Sequence, residues 1–229
     1  MRKKDICCDL KTCILCRDCL PDWVPAISNH KQNLFVKKGG KVFEEGNEMQ
    51  GIFFIFRGKI KVHKKWGAEK ELIVRFAKEG DMIGYRGLGN ERIYPVSATA
   101  LEDTILCFVS MEFFDTTLKV NHQLTYDLMQ FYAEELQEAE RRMRNLAHMD
   151  VKGRIAEAFL TLQKVFGQHK DGSINIQLTK QDIASYCGTT YETLSRTITE
   201  MIKEKLIKVT GKAITISKQR KLEELTINK

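Results

Sequence analysis

Five of the chain's seven cysteines stand close together near its start, in the stretch ICCDLKTCILCRDCLPDW. Three of them, Cys13, Cys16 and Cys19, form the pattern C-x2-C-x2-C, and Cys7 and Cys8 precede them. This spacing lets one turn of backbone direct three thiolates at a single centre, as in ferredoxin-type iron-sulfur sites. The pattern indicates a metal or redox site whose fourth ligand comes from elsewhere in the chain.

Other uses of these thiols are open. Four thiolates hold zinc equally well at a closed tetrahedral site. Basic Lys11 and Arg17 favour reversible thiol oxidation if they lower the pKa of a neighbouring thiol. A C-x2-C pair also occurs in thiol oxidoreductases, but those enzymes need a βαβ context that does not follow here. A flexible tail without metal is the remaining alternative.

Nothing in the sequence predicts passage through a membrane. No apolar run approaches the roughly 20 residues that cross a bilayer, and the basic start MRKKDICCDLK is not followed by the apolar segment of a signal peptide. We therefore expect a cytoplasmic protein without a membrane partner. Thiols stay reduced in that compartment, which favours metal or redox chemistry over disulfide bonds.

Basic residues are concentrated towards the end of the chain. The formal net charge of the 229 residues is +7, and from Met149 onward there are 14 Lys and Arg against 9 Asp and Glu. A basic C-terminal region is typical of nucleic-acid binding, although a mildly basic solvated surface has the same balance.

From about Asn33 to Val109, short apolar bursts alternate with glycines. The bursts are rich in Ile, Val and Phe, as in GIFFIFRGKIKVHKKWG and KELIVRFAKEGDMIGY. Strands joined by tight turns have this composition, so the pattern predicts a small antiparallel β-roll.

The stretch from Asn121 to Met149 lacks Gly and Pro and is dominated by good helix formers, which predicts one long helix. Apolar residues recur along it at steps of four and three, with charged residues beside them. Such a seam favours pairing of two helices across a dimer, and packing of the helix on its own domain is the alternative. The seam residues are Tyr132, Leu136, Ala139, Met143 and Leu146.

A second domain is predicted after this helix. Asp150 can cap a helix with one apolar face, and two shorter helices follow, each opened by a capping-box pattern. The segment IKVTGKAITI predicts a hairpin around Gly211. Helix, tight turn, helix and hairpin together predict a winged helix-turn-helix. The capping pairs are Thr179 with Asp182 and Thr189 with Glu192.

The second helix of such a motif presents side chains near its N-terminus to base edges in the major groove. A helix that begins at Thr190 places Glu192, Ser195 and Arg196 on one surface. Arg196 can pair with guanine, and Glu192 can accept from the amino group of cytosine. A solvated Glu and Arg on an ordinary surface helix is the alternative. The residues expected to face the core are Leu194, Ile198 and Ile202.

The segment LTKQDIASYCGTTYETLSRTITEMIKEKLIKVTGKAITI closely resembles the DNA-binding domain of the CRP/FNR family of bacterial transcription regulators. A roll, a long helix and a winged domain in that order are similar to the family over nearly the whole chain. The resemblance implies an α+β fold with an antiparallel, jelly-roll β-roll of the cyclic-nucleotide-binding type. The implied domains are a cysteine-rich segment (1–22), the sensor roll (23–112), a dimerisation helix (113–148) and a winged helix-turn-helix DNA-binding domain (149–229).

Within the family, ETLSR resembles the version in the oxygen-sensing, fumarate and nitrate reduction branch, which reads TTGAT-type half-sites. The resemblance implies that Glu192, Ser195 and Arg196 read bases in a symmetric homodimer on an inverted repeat, with half-sites about one helical turn apart. It also implies RNA polymerase as a partner, which would meet exposed turns at 66–70 or 78–86. Candidates for phosphate contacts are Thr179, Lys180, Thr190 and Lys212.

Members of the cAMP receptor branch bind the nucleotide through a Gly-Glu pair after a Gly-Asp turn and an Arg-Ser pair ahead of an alternating strand. Here Tyr85 stands in place of the Glu, and Tyr94-Pro95 stands in place of Arg-Ser. Arg86 and Arg92 are nearby but not at the matched position. We therefore do not expect cAMP to bind.

The resemblance also points to the fourth cysteine ligand. Cys107 lies on the last strand of the predicted roll, at the position where the oxygen-sensing branch carries its distant cluster ligand. This implies a [4Fe-4S] cluster. The oxygen-sensing branch spaces its N-terminal ligands x2 and then x5, unlike this chain, so Cys7 and Cys8 stay open as ligands. The implied ligand set is Cys13, Cys16, Cys19 and Cys107.

These observations predict a sequence-specific transcription regulator, not an enzyme, that responds to oxygen, nitric oxide or redox state through its cysteines. A regulator that responds to an unknown small ligand in the roll, without metal, is one alternative, and a thiol oxidoreductase is another. Cys187 is expected to fill the core. Haem is not expected, because no spacing singles out an axial ligand among five histidines, each expected at the surface. They are His30, His63, His122, His148 and His169.

Overall fold

The computed structural model describes residues 11–67 and 70–227. This part of the chain divides into two compact units, one ending at Glu135 and one beginning at Leu136. No helix among the described residues is both long and apolar enough to span a membrane.

The first unit opens with short helices, α1 (Ile14–Asp18) and α2 (Val24–His30), and continues as strands. Within the described residues the strands form two sheets, ordered β1-β8-β3-β6 and β2-β7-β4-β5, and neighbouring strands are antiparallel. The predicted roll is therefore confirmed. The strands are β1 (Gln32–Val36), β2 (Lys41–Phe43), β3 (Gly51–Arg57), β4 (Ile60–Trp66), β5 (Lys70–Ala77), β6 (Met82–Ile83), β7 (Ser97–Ala100) and β8 (Thr104–Ser110).

The roll is held by apolar side chains of β3 and its neighbours. Successive residues of β3 are buried, so both faces of this strand are covered. Such a strand reads as a continuous apolar run, which is why GIFFIF lacks polar alternation. Ile52, Phe54, Ile55, Ile60 and Leu106 are among the largest fully buried side chains.

Two helices follow the roll, α3 (Met111–Val120) and α4 (His122–His148). The 27 residues of α4 confirm the predicted long helix. The segment 113–148, proposed as the dimerisation helix, also contains most of α3. The two helices are separate because Asn121 leaves the helical conformation and its side-chain amide donates to the Thr117 carbonyl at 2.9 Å, which closes α3.

The N-terminal segment is fixed on α3. The Leu20 backbone N–H donates to Asn121 Oδ1 at 2.8 Å, and Trp23 Nε1 donates to Thr117 Oγ1 at 3.1 Å. The Trp23 ring also stacks on Phe113, with centroids 6.0 Å apart. The described part of this segment is therefore held against α3 and does not form a flexible tail.

The second unit contains the C-terminal part of α4 and the predicted winged helix-turn-helix. Asp150 caps the next helix by accepting from the Gly153 N–H at 2.6 Å, and Thr179 with Asp182 forms the predicted capping box. The hairpin turns at Gly211. The elements are α5 (Val151–Phe166), α6 (Lys180–Cys187), α7 (Tyr191–Lys203), β9 (Ile207–Thr210), β10 (Ala213–Ile216) and α8 (Gln219–Thr226).

Two sequence predictions about α7 are wrong in detail. Thr189 does not cap the helix but belongs to the turn that ends α6, where its N–H donates to the Ala184 carbonyl at 3.0 Å. Thr190 is the cap, and its hydroxyl accepts from the Thr193 N–H at 3.2 Å. Leu194 is buried as predicted, with Ile198, but Ile202 is 41% exposed, and Met201 takes the next core position.

Candidate DNA interface and sensor residues

The proposed base-reading residues lie on the outer side of α7. Glu192 and Arg196 are exposed and Ser195 is half-buried, while Leu194 and Ile198 are buried on the opposite side of the helix. Thr190 caps the helix directly before them. The arrangement presents a carboxylate, a hydroxyl and a guanidinium near the helix N-terminus, the region that enters the major groove.

Lys180 lies against this reading surface. Its Nζ donates to Ser195 Oγ at 3.1 Å, and it lies 5.9 Å from the centroid of the Tyr191 ring. Tyr191, the first residue of α7, is 46% exposed and lies outside the predicted reading set. Its place at the helix start is the signal that could have identified it.

The other candidates for phosphate contact are spread over the same unit. Thr179 is exposed, but its hydroxyl is engaged in the capping box with Asp182. Lys212 is exposed in the turn between β9 and β10, at the tip of the wing.

The apolar seam of α4 is largely uncovered. Leu136 is 61% exposed and Met143 is 66% exposed, and Ala139 between them is exposed as well. Tyr132, by contrast, is half-buried. Its hydroxyl donates to the Tyr85 carbonyl at 2.5 Å, and its ring packs edge-on against the Tyr85 ring.

The four proposed cluster ligands are all buried. Cys13, Cys16 and Cys19 lie in and beside α1, and Cys107 lies on β8 between Asn33 of β1 and Phe54 of β3. All four belong to the apolar core of the first unit. Burial raises the pKa of the Cys19 thiol, and the electrostatic influence of Cys13 adds to the shift, so basic neighbours do not activate this thiol.

The donor set fits an iron-sulfur cluster in its chemistry, because it consists of thiols shielded from solvent. Among residues 11–67 and 70–227, no group of three or more His, Cys, Asp and Glu side chains is placed to hold a metal ion. Cys7 and Cys8 lie outside the described residues.

In the roll, the two tyrosines that replace nucleotide-binding residues are structural. Tyr94 is buried, its hydroxyl donates to the Gly51 carbonyl at 2.8 Å, and its ring stacks on Phe43. Tyr85 follows Gly84, whose φ of +91° forms the turn. The Tyr85 hydroxyl donates to the Glu135 carboxylate on α4, and burial raises its pKa to about 12.

Beside these tyrosines lies an open cleft of about 490 Å³. Its two arginines are already paired: Arg86 with Glu135 at 2.7 Å, and Arg92 with Asp115 at 3.2 Å. The cleft is lined by backbone and side chains of the segments 45–46, 86–87 and 89–95.

Contrary to the prediction that all five histidines lie at the surface, His63 is buried. It lies on β4, with Nε2 2.9 Å from Thr99 Oγ1 and Nδ1 3.0 Å from the Glu71 carboxylate. Interaction with His63, and then with Lys61, lowers the pKa of Glu71 to about 2. Thr99 satisfies Nε2 of this buried ring, whereas Nδ1 faces the Glu71 carboxylate without a well-aligned hydrogen bond. Partners on two neighbouring strands have no signature in the local sequence.

An antiparallel roll, a long helix with an uncovered apolar seam and a winged helix-turn-helix with a polar reading surface define a DNA-binding transcription regulator. Residues 34–121 match the model of the cyclic nucleotide-binding domain, and residues 153–225 match that of the Crp-like helix-turn-helix domain. The chain belongs to the CRP/FNR family of transcription regulators. The alternative of a thiol oxidoreductase is therefore not supported.

Curated relatives come from both branches that the sequence resembles. The chain is 32% identical over 181 residues to the cAMP-activated global transcriptional regulator CRP of Salmonella typhimurium, covering 76% of this chain and 84% of the relative. It is 27% identical over 192 residues to the fumarate and nitrate reduction regulatory protein of Vibrio cholerae, covering 83% and 76%. In fold it is similar to FixK2 from Bradyrhizobium japonicum, with a TM-score of 0.78, 20% identity and coverage of 87% and 98%.

We predict that Cys187 reacts with iodoacetamide at neutral pH at least about 100-fold more slowly in the native protein than in denaturant. The thiol is buried, and burial raises its pKa to about 12, so almost none of it is thiolate at neutral pH. Peptide mapping by mass spectrometry after timed alkylation measures both rates. Equal rates in the two conditions would contradict the assignment of Cys187 to the core.

Proposed function

We propose that the chain acts as a symmetric homodimer that binds an inverted repeat with TTGAT-like half-sites. The observation that carries this proposal is the pairing, within one unit, of an uncovered apolar seam and an uncovered reading helix. Two copies joined along the seam would present two copies of α7 to one side of a duplex, and dyad symmetry in the protein requires dyad symmetry in its site.

In this proposal Glu192, Ser195 and Arg196 read base edges. Ser195 Oγ already accepts from Lys180, so the lysine is held at the reading surface, where it can also reach a flanking phosphate. Tyr191 adds an exposed aromatic ring beside these groups, suited to contact with a thymine methyl. Thr179, Thr190 and Lys212 are the remaining phosphate candidates.

We predict that Arg196→Ala loses the preference for guanine at one position of each half-site, at a cost of about 1–3 kcal/mol in specific binding. Selection from random DNA with the wild-type protein should return an inverted repeat, and the variant should return the same repeat with that position relaxed. Lys212→Ala is the control, because a phosphate contact weakens all sequences alike. Unchanged base preference in Arg196→Ala contradicts the reading role.

We also predict that Leu136→Glu makes the protein monomeric at concentrations where the wild type is a dimer. The substitution places a charge in the proposed seam, while the exposure of Leu136 within the chain leaves the fold of one copy intact. Light scattering measures the mass. Gln137→Glu adds the same charge at an exposed position off the seam and should stay dimeric. A dimeric Leu136→Glu protein would exclude this seam.

We propose RNA polymerase as a partner at one of two turns of the roll, 66–70 or 78–86. Residues 68 and 69 lie outside the described residues, and in the second turn Lys78 and Glu79 are exposed whereas residues 82–85 are buried. Trp66 supports the first of the two proposed turns, because its ring is 82% exposed at the end of β4. Aromatic residues are enriched in protein–protein interfaces, so an indole exposed to this degree is available for such a contact.

For the signal, we propose a [4Fe-4S] cluster held by Cys13, Cys16, Cys19 and Cys107. Two observations support it: the four thiols are buried in one core, and a fumarate and nitrate reduction regulatory protein is among the relatives. A cluster would supply chemistry that oxygen, nitric oxide or a redox partner can change. Cys107 is at the end of the roll that leads into α3, and the other three lie on the segment fixed to α3, so the set is placed to influence this helix.

We predict that protein purified anaerobically contains iron and sulfide and absorbs visible light, and that Cys107→Ser has lost most of both. Iron and sulfide analysis with absorption spectra provides the test. Cys187→Ser serves as control, since that thiol lies in the other unit, and it should keep the full iron content. Equal iron in Cys107→Ser and wild type excludes Cys107 as a ligand.

Wild-type protein without iron would favour the second candidate, a small ligand in the roll. The cleft of about 490 Å³ supports this alternative, because it lies in the domain that matches the cyclic nucleotide-binding model. The replacement of nucleotide-binding residues by Tyr85 and Tyr94 argues against cAMP as that ligand.

A further inference from the structure

The last turns of α4 lie against the tight turn that joins α6 to α7. The Arg142 guanidinium donates to the Tyr186 carbonyl at 3.1 Å and covers the face of the Tyr186 ring, 4.4 Å from its centroid. A planar guanidinium can stack and donate at the same time, which an ammonium group cannot do as well. Arg142 therefore fixes both the backbone and the side chain at the end of α6.

Arg154 of α5 fixes the rest of this turn. Its Nε donates to the Cys187 carbonyl at 2.9 Å, and a second guanidinium nitrogen donates to the Gly188 carbonyl at 3.3 Å. The third donates at 2.6 Å to the carbonyl of Met149, the residue after α4 has ended. One side chain thus joins the end of α4 to the helix-turn-helix turn.

Leu146 closes the contact from the α4 side. Gly188 has φ of +61°, and a Cβ built on it would lie 2.5 Å from Leu146 Cδ2, so the two residues touch without space for a larger side chain. Leu146 was proposed for the dimer seam, and the structure gives it this packing role as well.

A second set of contacts joins α4 to α5. Arg141 bonds to Glu138 at 2.8 Å and to Glu157 at 2.7 Å. Asn145 is buried, and its Nδ2 donates to the other oxygen of Glu157 at 2.7 Å. Buried, satisfied polar contacts of this kind favour one arrangement over its neighbours.

We propose that Arg142, Arg154 and Leu146 act as positioning residues, called here the turn clamp, that set the distance between the two half-sites the dimer accepts. The proposal rests on the proposed dimer. Arg142 is next to the seam residue Met143, and the turn that it holds ends at Gly188, two residues before the cap of α7. The path from dimer seam to reading helix therefore runs through the clamp, within one compact unit.

In a two-fold symmetric dimer, the positions of the two reading helices must match both half-sites at once. Inserting one base pair moves a half-site by about 3.4 Å and turns it by about 35° around the duplex. A clamp that allows α7 to tilt on α4 would let both reading helices adjust to such a change. A rigid clamp makes the dimer reject it, so spacer selectivity measures the clamp, whereas base preference within a half-site measures the reading residues.

The test is selection from a library that holds the half-sites constant and varies the spacer by one base pair at a time. Wild type should favour one spacer by at least about tenfold over its neighbours, and Arg142→Met should reduce this preference to about threefold or less with base preference unchanged. Arg220→Met is the matched control, because Arg220 is exposed on α8 and belongs to neither set of contacts, and it should keep the wild-type spacer preference.

A spacer preference that is unchanged in Arg142→Met overturns the proposal. If Arg142→Met lacks a cooperative unfolding transition by circular dichroism, Tyr186→Leu is measured instead, because it removes the stacked ring and leaves the carbonyl; unchanged selectivity there overturns the proposal equally. A wild-type protein that selects no inverted repeat overturns the proposed dimer and the clamp proposal with it, whereas a wild-type inverted repeat with unchanged spacer preference in Arg142→Met overturns the clamp alone.

Discussion

Helix α4 is buried in the protein over part of its surface and exposed over another part. The way α4 is divided between buried and exposed faces constrains the rest of the molecule. Near its start, Leu124 and Leu128 are buried in the core of the roll, and near its end Asn145 is buried against α5. Between these anchors Leu136 and Met143 stay exposed. A helix of 3.6 residues per turn can do this because its faces are independent stripes, so the chain can be anchored at both ends and still offer a seam to a second copy.

The contact between the first part of α4 and the roll is electrostatic as well as apolar. Glu135 accepts from Tyr85 and Arg86, and Arg75 lies 3.5 Å away, so one carboxylate of α4 gathers several donors of the roll. Arg86, the residue next to Tyr85, is thus satisfied by a group of the chain itself. An anionic ligand in the neighbouring cleft would have to compete with Glu135 for Arg86, which raises the affinity that such a ligand needs.

Local signals in the sequence predicted the elements, and tertiary contacts decided where the predictions failed. Gly-punctuated apolar runs, the Thr179 capping box and the Gly-free stretch of α4 each depend on neighbours in sequence, and each is confirmed. Thr189 failed because it belongs to the turn that ends α6. His63 is buried beside partners on β5 and β7. The position of the Arg142 side chain depends on a hydrogen bond to a carbonyl 44 residues away in the sequence. Contacts of that range have no periodicity for a sequence pattern to reveal.

Burial also constrains the chemistry of the four cysteines proposed as cluster ligands. Burial in an apolar core disfavours a thiolate, and it raises the pKa of Cys19. Metal binding deprotonates a coordinating thiol and stabilises the buried negative charge. If the proposed cluster is bound, the loaded and unloaded states of the site would differ in charge within a core that also contains Leu124 and Leu128 of α4. Because a core packed to crystal density does not absorb such a change locally, burial of the four ligands would matter to the proposed response as much as their spacing.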